Sequence, residues 1–305
     1  MVSKLIICLQ SQCFRESWSN NVPWFNEFIV EIYKNLNCVC ENINECYLFT
    51  DEYFLKKYGK IPDFILSYEL MPNMNNSCKK ILITEDVHNL SENISREYFN
   101  NSDLILSRFN LINDVFGSEY QSKIIDFPLY CSDIFLAPKI NFSSDDKIFF
   151  YGQINSDNYI YRKEWYNFFI ENYKEKFIYN YDSIVNTVKN MYNCSFGFTS
   201  TYINSFVKSK CDKCYFIGKF FEIPGSGLLL LADISYVEDF IEKYGFIDGE
   251  NFISINKNNA ESVINFLYNP ENKDKINRIR INGYNLVKNY HTMKNRIDLL
   301  KQIIN

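Results

Sequence analysis

Four consecutive leucines, Leu228 to Leu231, stand between a glycine turn and an aspartate in "KFFEIPGSGLLLLAD". Such a run has no polar alternation, so both of its faces need cover. A short strand inside a parallel sheet meets that demand, and by periodicity alone a buried helix segment would also. Similar runs recur along the chain. "KLIICL", "CYLF", "DFILSY", "KILIT", "DLILS" and "KIIDF" follow one another in the first half, and "KIFFYG", "CSFGFT" and "NFISI" in the second. Polar or helical stretches separate them, which is the pattern of parallel sheets wrapped by helices.

The helical stretches carry apolar faces. Trp24, Phe25, Phe28, Ile29, Ile32, Tyr33 and Leu36 form one, and Trp165, Phe168, Phe169, Tyr173 and Phe177 a second. Ala260, Val263, Ile264, Leu267 and Tyr268 form a third, and Ile276, Ile279, Gly283, Leu286 and Tyr290 a fourth, with a last helical stretch after His291. Around Pro138 to Asp146 the chain turns polar and loses its periodicity, as a linker does. The 305 residues allow two domains of about 150 each. The expected division is 1–142, 143–290 and a terminal helix over 291–305 that returns to the first domain. Two α/β blocks of similar size imply two Rossmann-like domains facing a cleft, the default place for a ligand.

Composition removes several functions. Hydrophobic residues at 47% and aromatics at 17% supply a large core. The 32 basic and 37 acidic side chains give a net charge of -5, which lacks the electrostatic footprint of a nucleic-acid binder. A small phosphate-bearing ligand needs only a few local cations. "MVSKLIICLQ" does not read as a secretory signal, and no run approaches the roughly 20 apolar residues of a membrane span. The expectation is a cytoplasmic protein without a transmembrane segment. Ten cysteines have no framework spacing, and the single CxxC at Cys211 and Cys214 lacks the second pair or histidine that zinc requires. Its plain reading is a surface loop, and no metal is expected.

The segment before the leucines carries chemistry. Lys219 is a cation, Glu222 an acceptor, and Gly225 and Gly227 let backbone approach a ligand. A carboxylate accepts two hydrogen bonds from vicinal hydroxyls, as acidic side chains do with ribose. Lysine, arginine and a helix N-terminus suit a diphosphate. Together they fit a nucleoside diphosphate. On the plainer reading Glu222 is solvated and the glycines form an ordinary helix-to-strand turn.

The run "K-F-F-E-I-P-G-S-G-L-L-L-L" resembles the "R-x-F-E-x-x-x-x-G-x-x-L-L" segment of group 1 glycosyltransferases with the GT-B fold, most closely their spore-maturation-type branch. "NFISI", "NPE" at Asn269 to Glu271 and "YHTMKNR" at Tyr290 to Arg296 follow in that family's order, and "ITEDVHNL" at Ile83 to Leu90 resembles its acidic-histidine segment. The resemblance implies transfer of a hexosyl or related group from a nucleotide diphosphate sugar to a hydroxyl of a glycan, lipid-linked or protein acceptor. The donor is substrate, and no further cofactor is implied. Glu222 would hold the ribose, with Lys219, Arg162 and the backbone at Gly152, Gly225 and Gly227 near the phosphates. Asp86 and His88 would face the sugar or acceptor. Retention without a metal is the implied course, and inversion would need Asp86 or His88 as base.

Two departures matter. Cys214 stands eight residues before Glu222, where many retaining relatives carry a second glutamate. Lys219 replaces an arginine and loses its bidentate geometry. These departures favour the alternative of a catalytically degenerate GT-B protein that binds a nucleotide, a glycan or a partner. "GxSxG", P-loop and "HExxH" motifs are all missing from the sequence, so acyl-enzyme, NTPase and zincin chemistry have no support.

Overall fold

A computed structural model describes residues 5–9, 28, 31–32, 34–36, 38–68, 70–84, 91–108, 111–155, 159–201, 205–214 and 216–304. The chain divides into two compact units, Met1–Pro128 with Arg296–Asn305, and Leu129–Asn295.

Among the described residues the first unit has six parallel strands, β1 (Leu5–Leu9), β2 (Cys38–Asn42), β3 (Phe64–Tyr68), β4 (Lys79–Thr84), β5 (Leu104–Ser107) and β6 (Ile124–Asp126). Their spatial order is β2-β1-β3-β4-β5-β6. Helices α1 (Asp51–Tyr58), α2 (Glu92–Asn100) and α3 (Ile112–Phe116) lie in the same unit. Phe28, Ile32 and Leu36 of the expected helical face are buried, whereas Trp24, Phe25, Ile29 and Tyr33 fall outside the described residues.

One strand expectation needs correction. "CYLF" does not form a strand: its first three residues close a 3-10 turn over Ile43–Leu48, which leaves Tyr47 and Leu48 exposed. The strand is the preceding "CVCEN", which the charge of Glu41 disguises. Glu41 is nonetheless buried, and Lys57 of α1 pairs with its carboxylate, donating to Oε2 at 2.9 Å.

The second unit carries β7 (Asp145–Tyr151), β8 (Phe177–Asn180), β9 (Cys194–Ser200), β10 (Leu229–Asp233) and β11 (Ile253–Ser254), in the order β11-β10-β9-β7-β8 and all parallel. Helices α4 (Ile160–Tyr173), α5 (Ile184–Met191), α6 (Ser205–Lys208), α7 (Lys219–Gly225), α8 (Glu238–Lys243), α9 (Ala260–Tyr268) and α10 (Lys273–Tyr290) belong to it, and α11 (Met293–Ile304) begins there. The four leucines are at most 1% exposed and alternate between two cores. Leu229 and Leu231 join Ile148, Phe150 and Phe198, while Leu228 and Leu230 join Phe149, Phe220 and Phe221. Burial of each is worth about 1.5–3 kcal/mol, so the segment is held from both faces.

Phe177 is not part of the α4 face. A charged turn, Lys174–Lys176, ends the helix, and Phe177 opens β8. It stacks on Phe169 at 4.9 Å, so a shared core reproduces the helical spacing. The polar stretch Pro138–Asp146 lies within the second unit, and the division falls between Pro128 and Leu129 rather than at 142/143. Polar contacts hold it there. Tyr284 donates to the Ala137 carbonyl at 2.7 Å, Arg280 Nη2 to that of Asn141 at 3.1 Å, and Asn141 Nδ2 to that of Tyr192 at 3.0 Å. Among the described residues no helix is long and apolar enough to cross a membrane.

Gly283 lets α10 approach the chain at Asn251. A Cβ there would overlap the Asn251 carbonyl oxygen and lie 3.5 Å from the Pro224 Cβ. Glycine to alanine inside a helix ordinarily gains about 0.5–1 kcal/mol, but overpacking against backbone costs about 1–3 kcal/mol. Gly283→Ala is therefore expected to lower the unfolding free energy in urea titration. A gain in stability would show that this approach is not tight.

Candidate functional site

In a doubly wound sheet, ligands bind beyond the carboxyl ends of the strands where the chain order reverses. In the second unit that place lies between β7 and β9. Strand β7 ends at Tyr151, and Gly152, which follows it, has φ +102, a conformation that suits glycine. A Cβ there would also overlap the Lys219 ammonium. Lys219 and Glu222 stand one turn apart on α7.

Tyr151 meets both charges of that helix. Its phenol donates to Glu222 Oε2, and its carbonyl accepts from Lys219 Nζ at 2.8 Å. The Lys219 ammonium also lies 4.6 Å from the centre of the Tyr151 ring. Phe135 and Phe149 pack beside the ring at 6.2 and 5.9 Å. The Tyr179 hydroxyl donates to the Gly152 carbonyl at 2.9 Å and fixes the turn. Glu222 Oε1 is directed to Gly218, where a Cβ would stand 3.3 Å away. Arg162, in the first turn of α4, is buried with its guanidinium 4.7 Å from the Tyr159 ring centre. Its Nη1 would lie 3.8 Å from a Cβ on Gly152.

Electrostatics follow from this packing. Burial, and then repulsion from Arg162, hold Lys219 well below the usual lysine range, against the attraction of Glu222. Burial, and then the Glu222 charge, push the Tyr151 phenol well above 10, so it stays a proton donor to the carboxylate. Two cations beside a glycine turn can meet an anion. A carboxylate has about four lone-pair sites and can accept hydroxyl groups.

At the end of β10, Asp233 accepts from Trp165 Nε1 at 2.7 Å and from Ser235 N and Oγ at 3.1 and 2.7 Å. Thr199, Ser200 and Thr201 at the end of β9 are buried, and Ser200 Oγ has no hydrogen-bond partner among the described residues. Asp233 and Tyr151 were not among the sequence candidates. The one signal for Tyr151 was its place directly before the Gly152 turn.

Four expected residues, Glu222, Lys219, Arg162 and Gly152, thus come together. Gly225 and Gly227 do not join them. The short helix α7 carries the chain back toward the amino end of β10, where the two glycines serve packing. A Cβ on Gly225 would overlap the Cys131 sulfur, and Gly227, at φ +77, would bring one within 3.3 Å of the Ile140 Cα. Arg280 Nε donates to the Gly227 carbonyl. Asp86 and His88 fall in residues 85–90, outside the described residues. His291 is buried, stacks on Phe221 at 4.5 Å and pairs with the Tyr244 carbonyl at 2.8 Å. Cys214 is buried and its thiol is pushed up to about 11 by that burial. Among the described residues no group of three or more histidine, cysteine, aspartate or glutamate side chains could hold a metal ion.

No protein-family model and no curated protein sequence match the chain. Solved structures do. An α-glucosyltransferase in complex with UDP and a 13-mer DNA is 14% identical, with both chains fully covered and a TM-score of 0.61. The same type of enzyme with UDP-glucose and DNA containing an abasic site is 13% identical over 99% of both chains, with a TM-score of 0.59. A glycosyltransferase from Rickettsia africae is 10% identical over 99% of this chain and 97% of its own, with a TM-score of 0.58. The chain has the two-domain α/β fold of these GT-B glycosyltransferases.

Lys219 leaves a signature in stability. Its folded value lies below 10.5, so between the two values the unfolded chain holds the extra proton and stability rises with pH. Relative to Lys219→Met, the wild-type protein should gain unfolding free energy as the pH rises toward the ordinary lysine value of 10.5, measured short of the range in which Tyr151 begins to act in the opposite sense. A pH-independent difference in urea titrations would mean that the ammonium is not desolvated.

Proposed function

We propose that the chain is a glycosyltransferase that moves a sugar from a nucleoside diphosphate sugar to an acceptor hydroxyl. One arrangement carries this reading. Glu222 is fixed by Tyr151 beside Lys219 and Arg162, at the strand ends where a doubly wound sheet takes its ligand. In this reading the Glu222 carboxylate accepts from the ribose hydroxyls, and the diphosphate lies at Gly152 between the two cations. An arriving anion favours the charged form of Lys219 and offsets its repulsion by Arg162.

The bond from the sugar's anomeric carbon to the diphosphate breaks, and a bond to the acceptor oxygen forms. The charge left on the diphosphate is met by cations withdrawn from water, where their effect exceeds that at a surface. With retention the leaving phosphate takes the acceptor's proton, and the cations serve in place of a metal. UDP is the first nucleotide to test, because similar α-glucosyltransferase structures hold UDP or UDP-glucose. Both of them also hold DNA, but a net charge of -5 favours a glycan, lipid-linked or protein hydroxyl as acceptor here.

A second reading, a nucleotide-binding shell without transfer, draws on the neutral, buried thiol of Cys214 at a position where retaining relatives use a carboxylate. Thermal unfolding with UDP, GDP, ADP and dTDP addresses the site. A nucleotide at a hundred times its dissociation constant should stabilise the wild-type protein by about 2.7 kcal/mol and Glu222→Ala far less. No stabilisation by any nucleotide would remove the transferase reading. Stabilisation without turnover of UDP-glucose or the other sugar nucleotides would favour the second.

A further inference from the structure

Tyr236 has φ +73, and it alone among the described residues with positive φ is not glycine. The other six are Gly59, Gly117, Gly152, Gly227, Gly245 and Gly249. A side chain with a Cβ costs free energy in that conformation, and a tyrosine needs a reason to be there. Core packing does not supply one, because Tyr236 is 47% exposed.

The turn that holds Tyr236 is built firmly. Asp233 clamps the Ser235 backbone N and hydroxyl, Thr201 Oγ1 donates to the Ser235 carbonyl at 3.3 Å, and Cys214 N donates to the Tyr236 carbonyl at 3.1 Å. One ring face is backed by Tyr161, with centroids 5.8 Å apart and planes at 26°. Tyr161 is half-buried and immediately precedes Arg162 on α4. A two-ring stack is thus held beyond the carboxyl end of β10, one residue from a cation of the proposed donor site.

We propose that Tyr236, backed by Tyr161, is the stacking surface for the base of the donor nucleotide. The proposal rests on the assignment of Arg162, Lys219 and Glu222 to that donor. An exposed aromatic face stacks with a nucleobase largely irrespective of the base's identity, so the surface contributes affinity and leaves discrimination to polar groups. The ring positioned by a strained turn is already ordered before the ligand arrives, which reduces the entropy lost on binding.

Titration calorimetry on the full chain with UDP, UDP-glucose and inorganic pyrophosphate tests this, with Tyr236→Gly, Tyr236→Phe and Glu222→Ala as variants. Glycine suits the turn, so Tyr236→Gly should melt no lower than the wild-type protein. It should bind UDP about 10-fold or more weakly, within the range of a lost base stack. Tyr236→Phe should retain the affinity, and pyrophosphate binding should not change. Unchanged UDP affinity in Tyr236→Gly would overturn the proposal. A loss confined to UDP-glucose would assign the ring to the sugar instead, and a lower melting temperature with weaker binding would make its role structural. If Glu222→Ala alone binds UDP normally, the ribose assignment fails while the stacking surface stands. Wild-type protein that binds no nucleotide would end both.

Discussion

The two oxygens of Tyr151 fix the geometry on which the candidate site depends. The phenol is spent on Glu222 and the carbonyl on Lys219, so one residue at the end of β7 fastens both charges of α7 to the central part of the sheet. A half-buried carboxylate gains from a donor, and a half-buried ammonium from an acceptor. Tyr151 supplies both without adding a charge. Its burial keeps the phenol protonated, which is the condition for donating. The ammonium that reaches the Tyr151 carbonyl also occupies the space of a side chain at Gly152, where φ is +102.

Much of the fold was legible because burial on both faces leaves continuous apolar runs. "LLLL" alternates between two cores, and "DFILSY", "KILIT" and "DLILS" fall within or around β3, β4 and β5. The failures have a common cause in tertiary contacts that composition does not show. Glu41 hides β2 because its partner Lys57 lies 16 residues away. The stretch Pro138–Asp146 read as a linker because backbone carbonyls, which carry no sequence signal, take the hydrogen bonds of Tyr284 and Arg280.

The site divides in the same way. Glu222, Lys219, Arg162 and Gly152 were legible as residue types that suit a nucleoside diphosphate. Tyr151 was not, since a tyrosine ending the aromatic run "FFY" reads as core, which it also is. Gly225 and Gly227 were assigned to the ligand because the segment read as one turn. A turn would keep all nine residues of "KFFEIPGSG" at one edge of the sheet. A helix separates its ends, and the glycines serve the opposite edge.

The two edges of the second sheet answer opposite demands. At the amino end of β10, glycines admit a cysteine sulfur and the Ile140 backbone, and the buried Arg280 satisfies carbonyls. Arg280 there has its partners inside the protein. At the carboxyl end, a lysine is held against its own preference for water, a serine hydroxyl is buried without a partner among the described residues, and a tyrosine occupies a glycine conformation. Each of these features costs free energy in the isolated chain. They lie at the carboxyl ends of strands β7, β9 and β10, around the switch point of a sheet whose neighbours in fold hold UDP. A cost concentrated there is what a binding site requires, because groups already desolvated and ordered have less to lose when a ligand arrives.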